Sequence, residues 1–588
     1  MRAEEGFQIN AFEEGNPFLS DPVLPGLLKR LLPAQIHGDI SKDCERLGEL
    51  IQHKLGTLGL VADSPVLTQY DQWGKRIDRL QTSEGWRELK AVCQKEGVPA
   101  IFYEHQYGQH TRTYGFVKAF LLMGHTYTAF CPLSMTDGCA QTLERLGTDE
   151  MKKHILPRLV SRDPTNAFTA GQWMTERPGG SDVSRTETYA TITDRSDKYG
   201  QIYQLNGFKW FSSATDSEVA VALAGTGDAN NGSRTLSLFL VPLRKPLFPQ
   251  TGDAAPSSTS NGIKVHRLKG KIGTHTLPTA ELSIENAESY LLGTLNEGVK
   301  NILPVLNITR VYSAISSVGH LRRCIAISTA YSRVRAVEGG RTLLMDSALH
   351  VEELSKMHIT YRALVHFVFG VAHLMGKVYE RGGQGSGEDA RRLRMMTAIV
   401  KAFCAELTAP AIEQAMCAMG GAGYMEENHI GRLLRDALVE RIWEGTTSVL
   451  GLELARAAQD GPTLASLVSW AKFSLQATPS SLATSLREPL AHLERAISLH
   501  NLFASQPSPF LLRPLLMLTG YMSSAFYLLE HAIWSEDATD IAVFQRWVTE
   551  GGLVGAIADV EAAAKRAPER GDENAGIVYG PRLAISKL

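Results

Sequence analysis

The spacing of apolar residues changes twice along the chain, and this order constrains the fold more than any other feature. From Leu24 to about Val160, apolar residues recur every three or four positions, which predicts amphipathic helices. Between about Ala167 and Glu285 the segments are short, rich in β-branched residues and separated by turn residues, which predicts strands. The helical period returns at about Asn296. Because helices and strands form separate runs, we predict an α+β protein rather than a doubly wound sheet.

These transitions divide the 588 residues into four predicted domains. We expect an N-terminal helical domain over 1–165 and a middle β-domain over 166–290. A C-terminal helical bundle follows over 291–458, and an extra helical extension occupies 459–588.

The charges of the chain are nearly balanced, with 60 Lys and Arg against 62 Asp and Glu. This balance excludes a broadly basic surface that attracts nucleic acid or anionic membranes. The start of the sequence lacks the apolar core of a signal peptide, and the uncharged stretch 514–529 is too short to span a membrane. The seven cysteines form no C-x-x-C pair and no zinc-ligand spacing, so we expect free thiols and no metal site.

Two clusters of glycines mark places where the backbone can approach a ligand closely. The first, 174–183, lies where helices give way to strands, and the second, 419–424, follows a long helical run. A glycine-rich turn explains the first cluster equally well, and a helix C-cap explains the second. Neither matches the dinucleotide or P-loop fingerprint, so neither assigns a site by itself.

Glu444 lies between the indole of Trp443 and a Gly-Thr turn. Apolar neighbours raise the pKa of a carboxyl group by desolvation, which suits a general base that acts near neutral pH. The alternative is a surface glutamate that pairs with Arg441 or Arg435.

Four motifs occur in one order along the chain: Thr-Glu-x-x-x-Gly-Ser-Asp from Thr175, Gly-Phe-Lys-Trp-Phe-Ser-Ser from Gly207, Gly-Gly-x-Gly-Tyr from Gly420 and Trp-Glu-Gly-Thr from Trp443. In this order they resemble the acyl-CoA dehydrogenase flavoprotein family. With Cys-Pro-Leu-Ser-Met-Thr from Cys131, the chain is most similar to the AidB-like, alkylation-response branch of peroxisomal eukaryotic type. The resemblance covers about 16–458. It implies an N-terminal α-helical domain, a middle β-domain and a C-terminal four-helix domain, followed here by an extra helical extension.

The resemblance also implies a binding site for FAD. The residues it implies for the cofactor are Gln172, Met174, Thr175, Gly180, Ser181, Phe211, Ser212, Ser213, Arg335, Gly420, Gly421, Gly423, Gly445, Thr446 and Thr447. Phe211, Ser212 and Ser213 would lie against the isoalloxazine ring, with Ser213 in place of a threonine that bonds flavin N5. Arg335 and the glycines from Gly420 would serve the FAD of a neighbouring subunit, which requires a homo-oligomer, a dimer or a tetramer. Glu338 replaces a phenylalanine that follows this arginine in the family.

The reaction that the resemblance implies is FAD-dependent α,β-dehydrogenation of an acyl-CoA or a similar thioester, as in fatty acid metabolism. Glu444 would remove the α-proton, and flavin N5 would accept the β-hydride. Two alternatives stay open, a flavoprotein oxidase acting on a substrate without CoA and a nucleic-acid-associated flavoprotein. Residues 461–588 contain ten basic and twelve acidic residues, which disfavours contact with nucleic acid.

The last three residues are Ser586, Lys587 and Leu588, the tripeptide that the peroxisomal import receptor reads. We therefore expect a peroxisomal protein, and the peroxide-tolerant chemistry of that compartment favours oxygen over an electron-transfer flavoprotein as the electron acceptor.

Overall fold

The computed structural model of the chain describes residues 10–227, 229–248, 261–380, 383–506, 508–566 and 569–580. The chain divides into two compact units, residues 1–446 and 447–588. The terminal tripeptide from Ser586 lies outside the described residues.

The first unit begins with helices, as the spacing of apolar residues predicts. They are α1 (Leu24–Leu31), α2 (Ala34–Leu50), α3 (Gly56–Leu60), α4 (Glu84–Lys95), α5 (Ile101–Glu104), α6 (Thr111–Met123), α7 (Phe130–Leu146), α8 (Asp149–His154) and α9 (Leu156–Leu159). Nearly every side chain of α6 and α7 is buried. Arg112 of α6 is among them, and its guanidinium lies 2.7 Å from Asp137 of α7 and 2.9 Å from Glu380. This buried network joins the N-terminal helices to a later part of the chain.

A two-stranded hairpin interrupts these helices, where we predicted helix throughout. Strands β1 (Val66–Tyr70) and β2 (Arg76–Gln81) pair antiparallel. The turn between them contains Gly74 with φ +77°, a value that glycine adopts without strain. The Asp-Gln-Trp-Gly turn is the sequence signal for this hairpin, because the residues on either side of it do not alternate strictly between polar and apolar.

Strands form the middle of the first unit. They are β3 (Ala170–Trp173), β4 (Tyr189–Asp197), β5 (Gly200–Ser213), β6 (Val219–Gly225), β7 (Leu236–Pro242), β8 (Ile263–Leu268) and β9 (Thr279–Leu292). Among the described residues the strand order is β3-β6-β4-β5-β9-β7, and β7 also pairs with β6. Strands β6, β4, β5, β9 and β7 therefore pair in a closed ring. Alternate side chains of β6 enter two cores, with Val221 packed towards α7 and Ala222 packed with Trp173 and Phe239.

Within the described parts of the chain, β8 pairs with β9 and with no other strand, and side chains of the N-terminal hairpin cover its other edge. Gln69 Nε2 donates to the carbonyl oxygens of Val265 and His266, each at 2.9 Å. Arg76 Nη2 donates to the Val265 carbonyl oxygen at 2.6 Å, and the Val265 N–H donates to Asp78 at 3.1 Å. The hairpin thus uses side chains, rather than a backbone ladder, to satisfy this edge.

A helical bundle completes the first unit. Its elements are α10 (Gly298–Ser332), the short strands β10 (Ala336–Val337) and β11 (Thr342–Leu343), α11 (Ala348–Tyr379), α12 (Gly387–Cys417) and α13 (Ile430–Ala437). Helices α11 and α12 are long and apolar enough to cross a membrane, but 83% of the most apolar window of each is buried in the fold. Such burial is expected of core helices. A short 3-10 helix, Leu438–Arg441, leads from α13 to Glu444.

The second unit is helical. It consists of α14 (Thr447–Ala458), α15 (Gly461–Gln476), α16 (Ser480–Ala483), α17 (Arg487–Phe503), α18 (Leu512–Ser535), α19 (Ala538–Thr549), α20 (Leu553–Ala564) and α21 (Arg570–Tyr579). Helix α18 packs against α14, α17, α19 and α20. Helix α14 thus groups with this unit, whereas we predicted residues 447–458 to belong to the preceding bundle. The predicted α+β class, with additional C-terminal helices, is confirmed.

Candidate functional site

The first glycine cluster forms a turn that a buried ion pair holds in place. Glu176 Oε1 lies 2.6 Å from Lys209 Nζ of β5, and both side chains are buried. Glu176 Oε2 accepts hydrogen bonds from the backbone N–H groups of Glu187 and Thr188, at 2.6 and 3.3 Å. Burial lowers the pKa of Lys209, and the charge of Glu176 opposes this shift. The turn is therefore anchored to the sheet rather than free to move as a surface loop.

The end of β5 lies beside this turn. The Trp210 N–H donates to the Thr175 carbonyl oxygen at 2.9 Å, and the indole N–H of Trp173 donates to the Ser213 carbonyl oxygen at 3.2 Å. Between these contacts the ring of Phe211 is 49% exposed, an unusual state for a phenylalanine. The structure thus brings the predicted residues Thr175, Phe211 and Ser213 together on one surface of the β-domain.

Polar atoms next to this surface fit a ligand with donors and acceptors. Gln172 Oε1 and Ser212 Oγ are buried and have no hydrogen-bond partner among the described residues. Gly180 and Ser181 are exposed beside them, and Met174 is half-buried. This surface suits a flat, polar cofactor such as FAD. It offers an uncovered aromatic ring, polar atoms without partners and an anchored glycine turn.

Side-chain contacts lead from this surface towards Glu444. Ser213 Oγ lies 3.1 Å from Thr279 Oγ1, which accepts a hydrogen bond from Lys271 Nζ at 3.1 Å. Burial raises the pKa of the Cys131 thiol to about 12; the charge of Lys271 opposes this rise and that of Glu444 adds to it. Cys131 therefore lies within electrostatic reach of both Lys271 and Glu444.

Glu444 and Gly445 form a turn with left-handed backbone geometry, at φ +56° and +101°. Two cations hold the carbonyl groups of this turn. Arg310 Nε donates to the Glu444 carbonyl oxygen at 3.4 Å, and Lys401 Nζ donates to that of Gly445 at 2.6 Å. Glu444 Oε2 is buried and has no hydrogen-bond partner in the described part of the chain. A non-glycine residue in this conformation is about 1–2 kcal/mol less stable than in a right-handed one, so surrounding contacts must maintain the turn.

Burial raises the pKa of the Glu444 carboxyl group above its usual value. The charge of Arg310, the Thr309 hydroxyl and the charge of Lys401 oppose this rise, because each favours the ionised form. A desolvated carboxylate with an unused oxygen is a stronger base than one in water, and the nearby cations favour its ionised form.

The alternative that Glu444 is a surface partner of Arg435 or Arg441 is wrong. Arg435 Nη1 lies 2.7 Å from Glu426, and Arg441 Nη2 donates to the Glu406 carbonyl oxygen at 2.7 Å. Both arginines are thus engaged elsewhere.

The predicted residues for a neighbouring subunit's cofactor belong to other segments of the chain. Gly420, Gly421 and Gly423 form a 3-10 turn after α12, with the first two exposed and Gly423 buried. Arg335 is exposed beyond the end of α10. The hydrogen bonds and ion pairs described for these four residues do not connect them to the turn around Glu176. The two remaining predicted cofactor residues are Thr446, which is exposed, and Thr447, which begins α14.

Four charged residues at the site were not predicted from the sequence: Arg310, Lys401, Glu440 and Lys269. The first three are buried, and Lys269 Nζ lies over the rings of Trp210 and Phe211, 3.3 and 4.7 Å from their centres. A detectable signal existed for Arg310 and Lys401, because each is a single charge in an otherwise apolar helical run.

Three family models match successive parts of the chain. Residues 7–164 match the adaptive response protein AidB N-terminal domain, 171–287 the acyl-CoA dehydrogenase middle domain, and 296–459 the acyl-CoA dehydrogenase C-terminal domain. The family models and the compact units of the structure divide the chain differently at α14. The C-terminal domain model includes this helix, whereas the first compact unit ends before it.

Relatives along the whole chain agree with these matches. Acyl-CoA dehydrogenase family member 11 of Caenorhabditis elegans is 38% identical over 75% of this chain and 70% of its own length. The putative acyl-CoA dehydrogenase AidB of Escherichia coli is 27% identical over 78% of this chain and 82% of its own. The crystal structure of C. elegans ACDH-11 in complex with C11-CoA superimposes with a TM-score of 0.89 at 33% identity, covering 99% of this chain and 98% of that one. The chain belongs to the acyl-CoA dehydrogenase family of oxidoreductases, and within it to the AidB-like proteins.

Proposed function

We propose that this chain is an FAD-dependent acyl-CoA dehydrogenase in which Glu444 is the catalytic base. The observation that carries the proposal is that Glu444 Oε2 is buried and has no hydrogen-bond partner among the described residues. Two cations also hold the backbone of this turn, at the carbonyl groups of Glu444 and Gly445. Family membership supports the reaction class.

The first task of the protein is to remove a weakly acidic proton from the carbon next to a thioester carbonyl. Glu444 Oε2 accepts this proton, and burial of the carboxyl group strengthens it as a base. In this proposal the Glu444 backbone N–H donates to the thioester oxygen as negative charge develops there, and such donors contribute about 3–4 kcal/mol. Holding the turn fixed keeps the base and this donor in one geometry throughout the reaction.

The residues that would hold FAD are those of the anchored turn and of the end of β5. Gln172 and Thr175 supply polar atoms, Phe211 supplies an exposed ring, and Ser213 supplies a hydroxyl. When bound, FAD supplies the acceptor for the β-hydrogen, which leaves the substrate as hydride. The family binds FAD, which supports this assignment.

The test is substitution of the base. Glu444→Gln should retain bound FAD and lose at least about 10²-fold in the rate at which an acyl-CoA bleaches the flavin, because an amide cannot accept the α-proton. Glu426→Gln is the matched control, since Glu426 lies on the surface and pairs with Arg435. A Glu444→Gln protein that bleaches at the parental rate would exclude Glu444 as the base.

We propose an acyl-CoA as substrate in preference to a substrate without CoA, on the basis of the C11-CoA complex of the similar C. elegans protein. Flavin reduction by straight-chain acyl-CoAs of different lengths, compared with nitroalkanes, tests this choice. Oxygen consumption in the same reactions distinguishes oxygen from an electron-transfer flavoprotein as the acceptor. Reduction by nitroalkanes alone would favour an oxidase of non-CoA substrates.

We further propose a homo-oligomer, in which Arg335 and the exposed Gly420 and Gly421 of one subunit approach the FAD of another. Sedimentation of the FAD-loaded chain, compared with Arg335→Ala, tests this arrangement. Import into the peroxisome through Ser586, Lys587 and Leu588 stays a prediction. A fluorescent protein fused to residues 570–588, with and without the tripeptide, tests it in cells.

A further inference from the structure

We propose that Lys401 is a positioning residue for Glu444: its ammonium group fixes the Gly445 carbonyl and supplies the positive charge beside the base, with Glu440 as its buried counter-charge. This inference rests on the proposed function and concerns a residue that acts on the base through the turn that it holds. It concerns what keeps the base in place and ionised.

The contact between Lys401 and Gly445 is short and inaccessible to water. Lys401 lies in the middle of α12, its side chain is fully buried, and its Nζ donates to the Gly445 carbonyl oxygen at 2.6 Å. A charged donor strengthens such a hydrogen bond, and a low-dielectric surrounding strengthens it further. A lysine is rarely buried without a specific role, because removing its charge from water is costly.

The turn that receives this hydrogen bond needs support. Glu444 and Gly445 are consecutive residues with positive φ, and only the second is a glycine. Arg310 holds the Glu444 carbonyl oxygen from α10, while Lys401 holds the next carbonyl from α12. The two helices thus clamp the turn from two sides, and loss of either contact lets the backbone of Glu444 move towards a right-handed conformation.

Glu440 is a buried carboxyl group whose ionised form favours the protonated form of Lys401. It lies in the 3-10 helix one turn before Glu444 and is buried, and its Oε2 accepts hydrogen bonds at 2.5 Å from both Ser313 Oγ and Trp443 Nε1. Burial raises the pKa of Glu440 to about 7, while its hydrogen bonds and Lys401 favour the ionised form.

The charged groups that face Lys401 come from three elements. Glu440 and Glu444 lie on the segment after α13, Arg310 on α10, and Glu406 on α12 itself. Burial lowers the pKa of Lys401 to about 8, the three carboxylates oppose this shift, and Arg310 adds to it. The protonated ammonium in turn favours the ionised form of Glu444. Removal of its charge should therefore raise the pKa of the base.

The experiment uses the FAD-loaded full chain and two readouts. The first is the rate of flavin reduction by an acyl-CoA as a function of pH. The second is hydrogen exchange of the peptide that spans 438–447. In Lys401→Met we expect the pKa of the ascending limb to rise by about one unit, and the rate to fall about tenfold at pH values below the midpoint of that limb. Exchange in the peptide should become faster, because the Gly445 carbonyl loses its partner.

Two further variants separate this role from a general loss of stability. Lys401→Gln keeps an N–H donor without the charge, so it should restore slow exchange but not the pH profile. Lys118→Met removes another fully buried lysine, which pairs with Asp43 and Glu96 far from Glu444 in sequence. It should destabilise the chain without shifting either readout.

Two results would overturn the proposal: an unchanged pH profile together with unchanged exchange in Lys401→Met, or equal shifts in Lys118→Met. If Lys401→Met does not fold, the pH profile of Lys401→Gln decides, since a parental profile excludes the role of the charge. The exchange readout does not depend on which residue is the base. A failure of the proposed function, in which Glu444→Gln still bleaches the flavin, is therefore distinguishable from a failure of the positioning role.

Discussion

Glu176→Gln should destabilise the middle β-domain strongly, although the substitution changes few atoms. Glu176 Oε1 neutralises Lys209, and Oε2 accepts two backbone N–H groups. A glutamine has one acceptor oxygen and one NH₂ group. Whichever way the amide turns, it presents a donor to another donor. Lys209 also loses its counter-charge while it remains fully buried.

The magnitude follows from the two states that Lys209 can adopt in the variant. Removing one partner of a buried ion pair destabilises a protein by about 3–5 kcal/mol when the other charge persists. If Lys209 instead loses its proton, the free energy required at pH 7 is about 4.6 kcal/mol relative to an ordinary lysine of pKa about 10.4. Both routes predict a loss of about 3–4 kcal/mol in the unfolding free energy of this domain at pH 7, given partial relaxation.

The pH dependence gives the prediction a sign. Where the folded variant holds Lys209 neutral, the unfolded state still holds it protonated, so the folded pKa lies below the unfolded one. The unfolding free energy then increases with pH up to about 10.4. Between pH 7 and 9 the defect should shrink by about 2.7 kcal/mol.

Hydrogen exchange of peptides from β5 and β6 is the appropriate assay, because it reports the opening of the middle domain rather than of the whole chain. Glu285→Gln, which removes the partner of Lys264 in an exposed pair, is the control and should change stability by less than about 0.5 kcal/mol. Adding Lys209→Met to Glu176→Gln should recover most of the loss. The reasoning is refuted if Glu176→Gln costs less than about 1 kcal/mol at pH 7, or if the double variant is no more stable than the single one.

Two other predictions concern different parts of the chain. Burial lowers the pKa of His500 to about 4, so the second unit should lose about 2 kcal/mol between pH 7 and 5 as the unfolded state takes up a proton. His500→Leu should abolish this part of the pH dependence in thermal unfolding; an unchanged dependence would contradict it. Gly423→Ala should destabilise the first unit by about 2 kcal/mol or more, because its Cβ would lie 1.9 Å from the Met416 carbonyl oxygen. Gly421→Ala meets nothing within 4 Å and should leave thermal unfolding unchanged, so equal effects of the two would refute the packing argument.

The order of elements could be predicted because apolar spacing reports which face of an element is buried. Helical runs and strand runs differ in this period, and they occupy separate stretches of the sequence. The hairpin over 66–81 was missed because its strands are short and lie between longer helical segments. Its burial pattern alternates only weakly, since much of its stability comes from side-chain contacts with β8. Such contacts depend on residues distant in sequence and leave no local pattern.

The site was predictable where a motif coincides with local chemistry. Glu444 beside Trp443 in a Gly-Thr turn indicates a desolvated carboxylate, and burial of this side chain follows that expectation. Lys401 and Arg310 escaped prediction because they reach the turn from two helices, 44 and 134 residues in sequence from the residues whose carbonyl groups they hold. Only the packing of α10 and α12 reveals that they hold two consecutive carbonyl groups.

The hairpin that covers β8 also affects the tendency of the β-domain to aggregate while the chain is still folding. A strand with one unpaired edge is a template for another copy of the same strand, and this is a common start of aggregation. Here Gln69, Arg76 and Asp78 occupy the backbone groups of Val265, about 190 residues later. The β-domain can therefore shield this edge only once the N-terminal segment has docked. The hairpin therefore prevents edge-to-edge association of the β-domain. Its removal should leave a folded domain that self-associates through the exposed edge of β8.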